Sequence, residues 1–115
     1  MTCNGNNRPW GFYEILSNKD DHKVKRITVY AGKRLSLQKH KKRNEHWYIL
    51  SGKGAVTIGE KSYYAVKDVS FDIYKGIQHR IENKGTEDLV FIEVQTGEYF
   101  GEDDIERIED DFGRE

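Results

Sequence analysis

Apolar and polar residues alternate over short stretches along most of this chain. Runs rich in β-branched and aromatic residues cover 24–30, 35–40, 45–50, 55–58, 62–66, 69–73, 78–82 and 89–95. Period-two runs of this length read as strands. Gly32, Ser51-Gly52-Lys53-Gly54, Gly59-Glu60, Lys75-Gly76, Asn83-Lys84-Gly85 and Gly97 separate or end them, and such residues mark turns. The two residues Gly59-Glu60 between 55–58 and 62–66 predict a hairpin. Many short strands without an intervening helix predict an all-β sandwich or barrel. Upstream, Pro9 and Gly11 punctuate the aromatics Trp10, Phe12 and Tyr13. Residues 1–8 read as a flexible N-terminal arm and 9–115 as one domain. Near the C-terminus the period changes. Glu102-Asp103-Asp104 makes an acidic first turn, Ile105, Ile108 and Phe112 share a helical face, and Gly113 is a stop. This predicts a short amphipathic C-terminal helix docked on the barrel or on a partner subunit.

Composition narrows the function classes. Of 115 residues, 34% are charged, yet the net charge is −1. A general nucleic-acid or membrane-surface binder would carry a clear basic excess, so neither partner is expected. No apolar run approaches the roughly 20 residues that span a bilayer. The first residues lack an apolar signal segment, and the single cysteine, Cys3, has no internal partner. A cytoplasmic, reducing setting is the expectation.

Chemistry concentrates in 38–47. Gln38 and His40 are two apart, so a strand sends both side chains to one face. Glu45 follows the basic turn Lys41-Lys42-Arg43, where a chain reversal brings it back beside His40. With His79 from a distant strand, two nitrogens and two oxygens become candidate ligands for a divalent ion. Such a mixed set suits zinc, and also manganese, cobalt, nickel or iron. The plain alternative makes His40 a surface residue among basic neighbours and His79 a satisfied core histidine.

The spacing of these residues resembles the cupin superfamily. Gly32, Gln38, His40, Glu45 and Gly52 follow its first motif, with Gln38 in the position of the first histidine. Gly76, His79 and Asn83 follow its second motif, with Tyr74 in the proline position. More narrowly, Arg8-Pro9-Trp10-Gly11, Leu35-Ser36-Leu37-Gln38, Arg43 with Glu45-His46-Trp47, His79-Arg80, Ile92-Glu93-Val94-Gln95 and Gly101-Glu102-Asp103-Asp104-Ile105 resemble the isomerase domain of type II mannose-6-phosphate isomerases. The resemblance runs from Arg8 to Arg114. Lys41 and Lys42 depart from it, standing where that family usually has histidines, and Ala31 and Tyr74 stand where it usually has prolines.

What the resemblance implies is a double-stranded β-helix, the cupin jelly-roll barrel, that pairs as a homodimer. It implies metal ligation by Gln38, His40, Glu45 and His79, most often of zinc. It implies interconversion of mannose 6-phosphate and fructose 6-phosphate, an aldose–ketose exchange through an enediol. That exchange needs a base within reach of a carbon-bound proton. Glu93 is a candidate if its strand face points inward, together with Gln95. Arg80 is the second catalytic candidate, although alternation turns it away from His79. Lys41, Lys42 and Arg43 are candidates to grip the substrate's phosphate. In bifunctional members the domain is fused to a guanylyltransferase; no Gly-rich phosphate loop occurs here, so that activity is not expected. Two other functions compete. One is a non-catalytic cupin that binds a sugar or metabolite. The other is an iron oxygenase, since His40, Glu45 and His79 form a two-histidine, one-carboxylate set.

Overall fold

A computed structural model describes residues 6–113, and within them every regular element is a strand. In chain order they are β1 (Asn7–Arg8), β2 (Gly11–Asn18), β3 (Lys23–Val29), β4 (Leu37–Lys39), β5 (Arg43–Ser51), β6 (Lys53–Ile58), β7 (Lys61–Val66), β8 (Ser70–Ile73), β9 (His79–Asn83), β10 (Leu89–Gly97) and β11 (Glu106–Glu109). They form two antiparallel sheets, ordered β1-β2-β3-β10-β5-β8 and β11-β4-β9-β6-β7. The core lies between them, with Val29, Trp47, Ile49, Phe91 and Leu89 from the first sheet and Val56, Ala65 and Ile81 from the second. No helix among the described residues is long and apolar enough to cross a membrane.

The alternation-derived strands are all present, and Gly59 and Glu60 turn the β6–β7 hairpin. Gly59 sits at φ 62°, which costs a residue without a Cβ little. Two segments differ from the sequence expectation. The aromatic entry that ends at Tyr13 runs into a full strand, Gly11–Asn18, which pairs with β3. Asn7 and Arg8, assigned to the flexible arm, pair with Phe12 and Gly11; the rest of that arm lies largely outside the described residues.

The expected C-terminal helix is a correction. Residues 106–109 are a strand, β11, which completes the edge of the second sheet by pairing with β4. Helical spacing of Ile105, Ile108 and Phe112 describes a face but not a backbone. Here the open β4 edge offers a ladder that a helix too short to stand alone cannot outweigh. Side chains fix the segment: Arg34 grips Asp111 with two 2.8 Å hydrogen bonds, and Arg80 pairs with Glu109.

Along β3, β10 and β5 the inward rows grade from apolar to polar. Leu89 faces Val29, and Phe91 faces Ile27 and Ile49; one row on, Glu93 faces Lys25 and Trp47, and then Gln95 faces Lys23 and Glu45. The polar end of this interior holds the candidate chemistry.

Candidate metal centre and acid–base pocket

His40, Glu45 and His79 converge. One ligand atom from each lies within 4.8 Å of the others, and all three residues are buried. His40 Nε2 is 3.2 Å from Glu45 Oε2, and His79 Nε2 is 3.8 Å from Glu45 Oε1. The outer nitrogens are tied down. His40 Nδ1 is 2.5 Å from the Asp104 carbonyl, and His79 Nδ1 is 2.9 Å from the Ile77 carbonyl. A carbonyl only accepts, so both Nδ1 atoms carry the proton and both Nε2 lone pairs face Glu45. That is the tautomer a metal-ligating histidine needs. Burial lowers both imidazoles to about 4, and at His40 the Arg43 cation adds to the effect. Both are therefore neutral at pH 7.

Gln38 stands directly opposite His79 across β4 and β9, so both side chains leave the same face. It donates through Nε2 to Ser36 Oγ at 3.0 Å, which leaves its amide oxygen for a cation. The donor set, two neutral imidazoles with a carboxylate and an amide beside them, fits a divalent ion.

Glu93 points inward with Gln95, as the sequence condition required, and both are buried. Gln95 donates to Glu93 Oε2 at 2.6 Å. Burial first, and the neighbouring Glu45 second, push the Glu93 carboxyl up to about 7. Arg43 is the inner residue of the basic turn. Its Nε and Nη2 both lie 2.9 Å from Glu45 Oε2, and Nη2 is 3.3 Å from His40 Nε2. Trp47 Nε1 donates to the other Glu45 oxygen at 2.9 Å.

Against this geometry stand the known proteins. The family described as mannose-6-phosphate isomerase C-terminal matches residues 2–110. The chain belongs to that family. The xanthan biosynthesis protein XanB of Xanthomonas campestris is 48% identical over 93% of this chain, which spans 23% of XanB. A mannose-1-phosphate guanylyltransferase of Klebsiella pneumoniae is 43% identical, again over 93% of this chain and 23% of its own length. The chain thus spans about a quarter of the curated relatives it matches. The cupin domain of Schizosaccharomyces pombe Cnp3 superposes with a TM-score of 0.74 at 20% identity, covering 82% of this chain and 69% of that one. The fold is a cupin.

Not every residue singled out from the sequence joins the centre. Lys41 and Lys42 are exposed, and it is their backbone amides that donate to the Asp104 carboxylate, at 3.0 and 2.9 Å. The Lys42 ammonium lies over the Tyr99 ring. Only Arg43 of the three turns inward. Arg80 is also elsewhere: its guanidinium bonds the Leu35 carbonyl and Glu109. Alternation along β9 sends it away from His79.

Sequence reasoning missed two lysines. Lys23 and Lys25 are buried on the inner face of β3. Their signal was parity, because they alternate in step with Ile27 and Val29. Lys25 Nζ donates to Glu102 Oε2 at 2.7 Å and lies 4.1 Å from the centre of the Tyr13 ring. Lys25, Arg43, Gln38 and Glu93 line a cavity of about 60 Å³ beside the donor triad, covered by Glu102, Ile105 and Arg107.

Proposed function

We propose that this cupin domain is a metal-dependent sugar-phosphate isomerase interconverting mannose 6-phosphate and fructose 6-phosphate. The carrying observation is the buried His40–Glu45–His79 triad, with a second inward carboxyl, Glu93, on the adjoining strand. A divalent ion at the triad, with zinc among those its donors suit, would polarise the substrate carbonyl and stabilise developing oxyanion charge. Gln38, His40, Glu45 and His79 would hold it. Glu93, as carboxylate, takes the proton from carbon 2 of the aldose while that electron pair forms the C1–C2 double bond and the carbonyl pair moves onto the C1 oxygen, giving an enediolate. The hydroxyl proton at carbon 2 passes to the C1 oxygen through the enediol, Glu93 returns its proton to carbon 1, and the carbonyl now stands at carbon 2. Trp47 and Arg43 keep Glu45 oriented. Arg80 is left out of the reaction. Family membership and the isomerase in the family's description support this reading, as does the chemistry of the donor set.

The test is a coupled assay for fructose 6-phosphate formed from mannose 6-phosphate, with added zinc, cobalt or manganese. No turnover with any of the three metals overturns the proposal. A second reading, a non-catalytic sugar- or metabolite-binding cupin, draws on one observation. The cavity of about 60 Å³ is far below the roughly 300 Å³ at which ligand pockets begin. Equilibrium binding of mannose 6-phosphate without turnover would favour it.

A further inference from the structure

The interior cations raise a separate question. Lys25 is 3% exposed, on the inner face of the barrel. A buried ammonium is costly unless paired. The Tyr13 ring lies 4.1 Å from its Nζ, but the carboxylate that accepts its hydrogen bond does not come from the barrel strands. Glu102 comes from the segment 101–112 that crosses the mouth, and its side chain is 48% exposed. Lys23 adds a second ammonium 3.6 Å from the same Glu102 oxygen. Across the cavity, Arg43 presents a buried Nη1 that has no hydrogen-bond partner. The cavity wall carries Arg8, Lys25, Arg43 and Arg107 against Glu93 and Glu102, an excess of basic groups.

We infer that Lys25 and Arg43 form the seat for a phosphomonoester, and that Glu102 holds this seat until the ligand displaces it. The inference deepens the sugar-phosphate reading and rests on it for the sugar. A phosphate carries more negative charge than a carboxylate and offers three acceptor oxygens. It therefore satisfies Lys25 and the orphaned Arg43 nitrogen together, which Glu102 at Lys25 does not. The present cavity has room for only a few waters, so the ligand enters as the first part of the segment lifts. Arg80–Glu109 and Arg34–Asp111 anchor its far end, which places the hinge near 104–106. Asp104 sits at that hinge, and its carbonyl orients His40. Opening the cover and the state of the metal centre are thereby linked.

The test is titration of the full chain with inorganic phosphate, followed by calorimetry. Glu102→Gln removes the competing charge at a half-exposed position and should tighten phosphate binding about tenfold, because the competent state no longer has to displace an ion pair. Lys25→Met should lose binding, and Lys25→Arg should retain it. Lys41→Gln with Lys42→Gln should leave it unchanged. Unchanged or weaker binding in Glu102→Gln, or no binding to either parent or Glu102→Gln, overturns the inference. So does loss of binding in the Lys41/Lys42 variant, which would place the anion on the outer turn. Turnover is not part of this measurement. If the isomerase assay fails while Glu102→Gln tightens phosphate, the anion seat stands and the isomerase falls. The converse pair of results separates them the other way.

Discussion

Glu45 is the residue whose loss the structure makes easiest to calculate. Its Oε2 receives both Arg43 nitrogens at 2.9 Å, and its Oε1 receives the Trp47 indole. Glu45→Gln keeps the shape and removes the charge. Arg43, 5% exposed, then has no carboxylate against it. Breaking a buried ion pair from one side costs about 3–5 kcal/mol. One effect pulls toward the lower end. The Glu45 charge is among the causes that raise the Glu93 carboxyl, so its removal lets Glu93 ionise more fully and partly replace it beside Arg43. The expected loss in the metal-free protein is therefore about 3 kcal/mol, measured by urea unfolding in the presence of a chelator. Typical domains have roughly 5–15 kcal/mol of stability, so the variant remains folded and measurable. Zinc gives the second reading. At a hundredfold excess over its dissociation constant, a ligand of the native state adds about 2.7 kcal/mol. The parent should gain this and Glu45→Gln should gain almost none. A cost below about 1 kcal/mol, on the scale of exposed pairs, would refute the buried-pair argument. Undiminished stabilisation by zinc would remove Glu45 from the metal centre.

Other perturbations separate the parts of the molecule. Arg80→Met should speed amide exchange in 106–109, where Arg80 anchors Glu109, while zinc retention by elemental analysis stays at the parent level. Gly54→Ala places a Cβ 2.2 Å from the Glu82 carbonyl in the β6–β9 ladder; overpacking of this kind costs about 1–3 kcal/mol, read as a lower melting temperature. Acid should free the C-terminal segment first. Burial, the largest single effect, raises the Glu102 carboxyl, but Lys25, Arg43 and Lys23 together lower it by more, and the Arg34 hydrogen bond lowers Asp111, from ordinary values of 4.5 and 3.8. Groups lowered on folding contribute stability above their ordinary values and lose it as pH falls through the lowered ones. Exchange protection in 101–112, corrected for intrinsic rates, should hold at pH 5 and collapse below about pH 4.

Much of the barrel was legible because its strands obey a simple period. The Gly59-Glu60 hairpin and the inward turn of Glu93 with Gln95 both follow from alternation and turn chemistry. The rest was hidden where polarity and burial part company. In β11, Arg107 lines the cavity and Ile108 is 40% exposed, the reverse of an ordinary half-buried strand. A reading that places apolar residues inside turns that segment into a helix. Lys23 and Lys25 hid the same way, since lysines are seldom assigned to an interior. Lys41 and Lys42 misled in the opposite sense. Their charge beside the ligands suggested a phosphate grip, yet β5 begins only at Arg43, which shares the inward face of Glu45 and Trp47, while Lys41 and Lys42 lie in the exposed turn before it.

The graded interior bears on why these charges are there. The rows Val29–Leu89 and Ile27–Phe91–Ile49 supply what a barrel needs to fold. The next rows bury Lys25, Glu93, Lys23 and Glu45, with Arg43 beyond them. Such groups do not stabilise a fold relative to apolar side chains of the same volume, since desolvation cancels most of their mutual attraction. Gln95 Oε1 and Arg43 Nη1 are left without partners, each a cost of about 1–3 kcal/mol. An interior built for stability would continue the valine, isoleucine and phenylalanine rows to the mouth. The polar rows instead begin where the histidines and Glu45 converge and where Glu102 can be exchanged. Their chemistry, rather than the stability of the barrel, accounts for them.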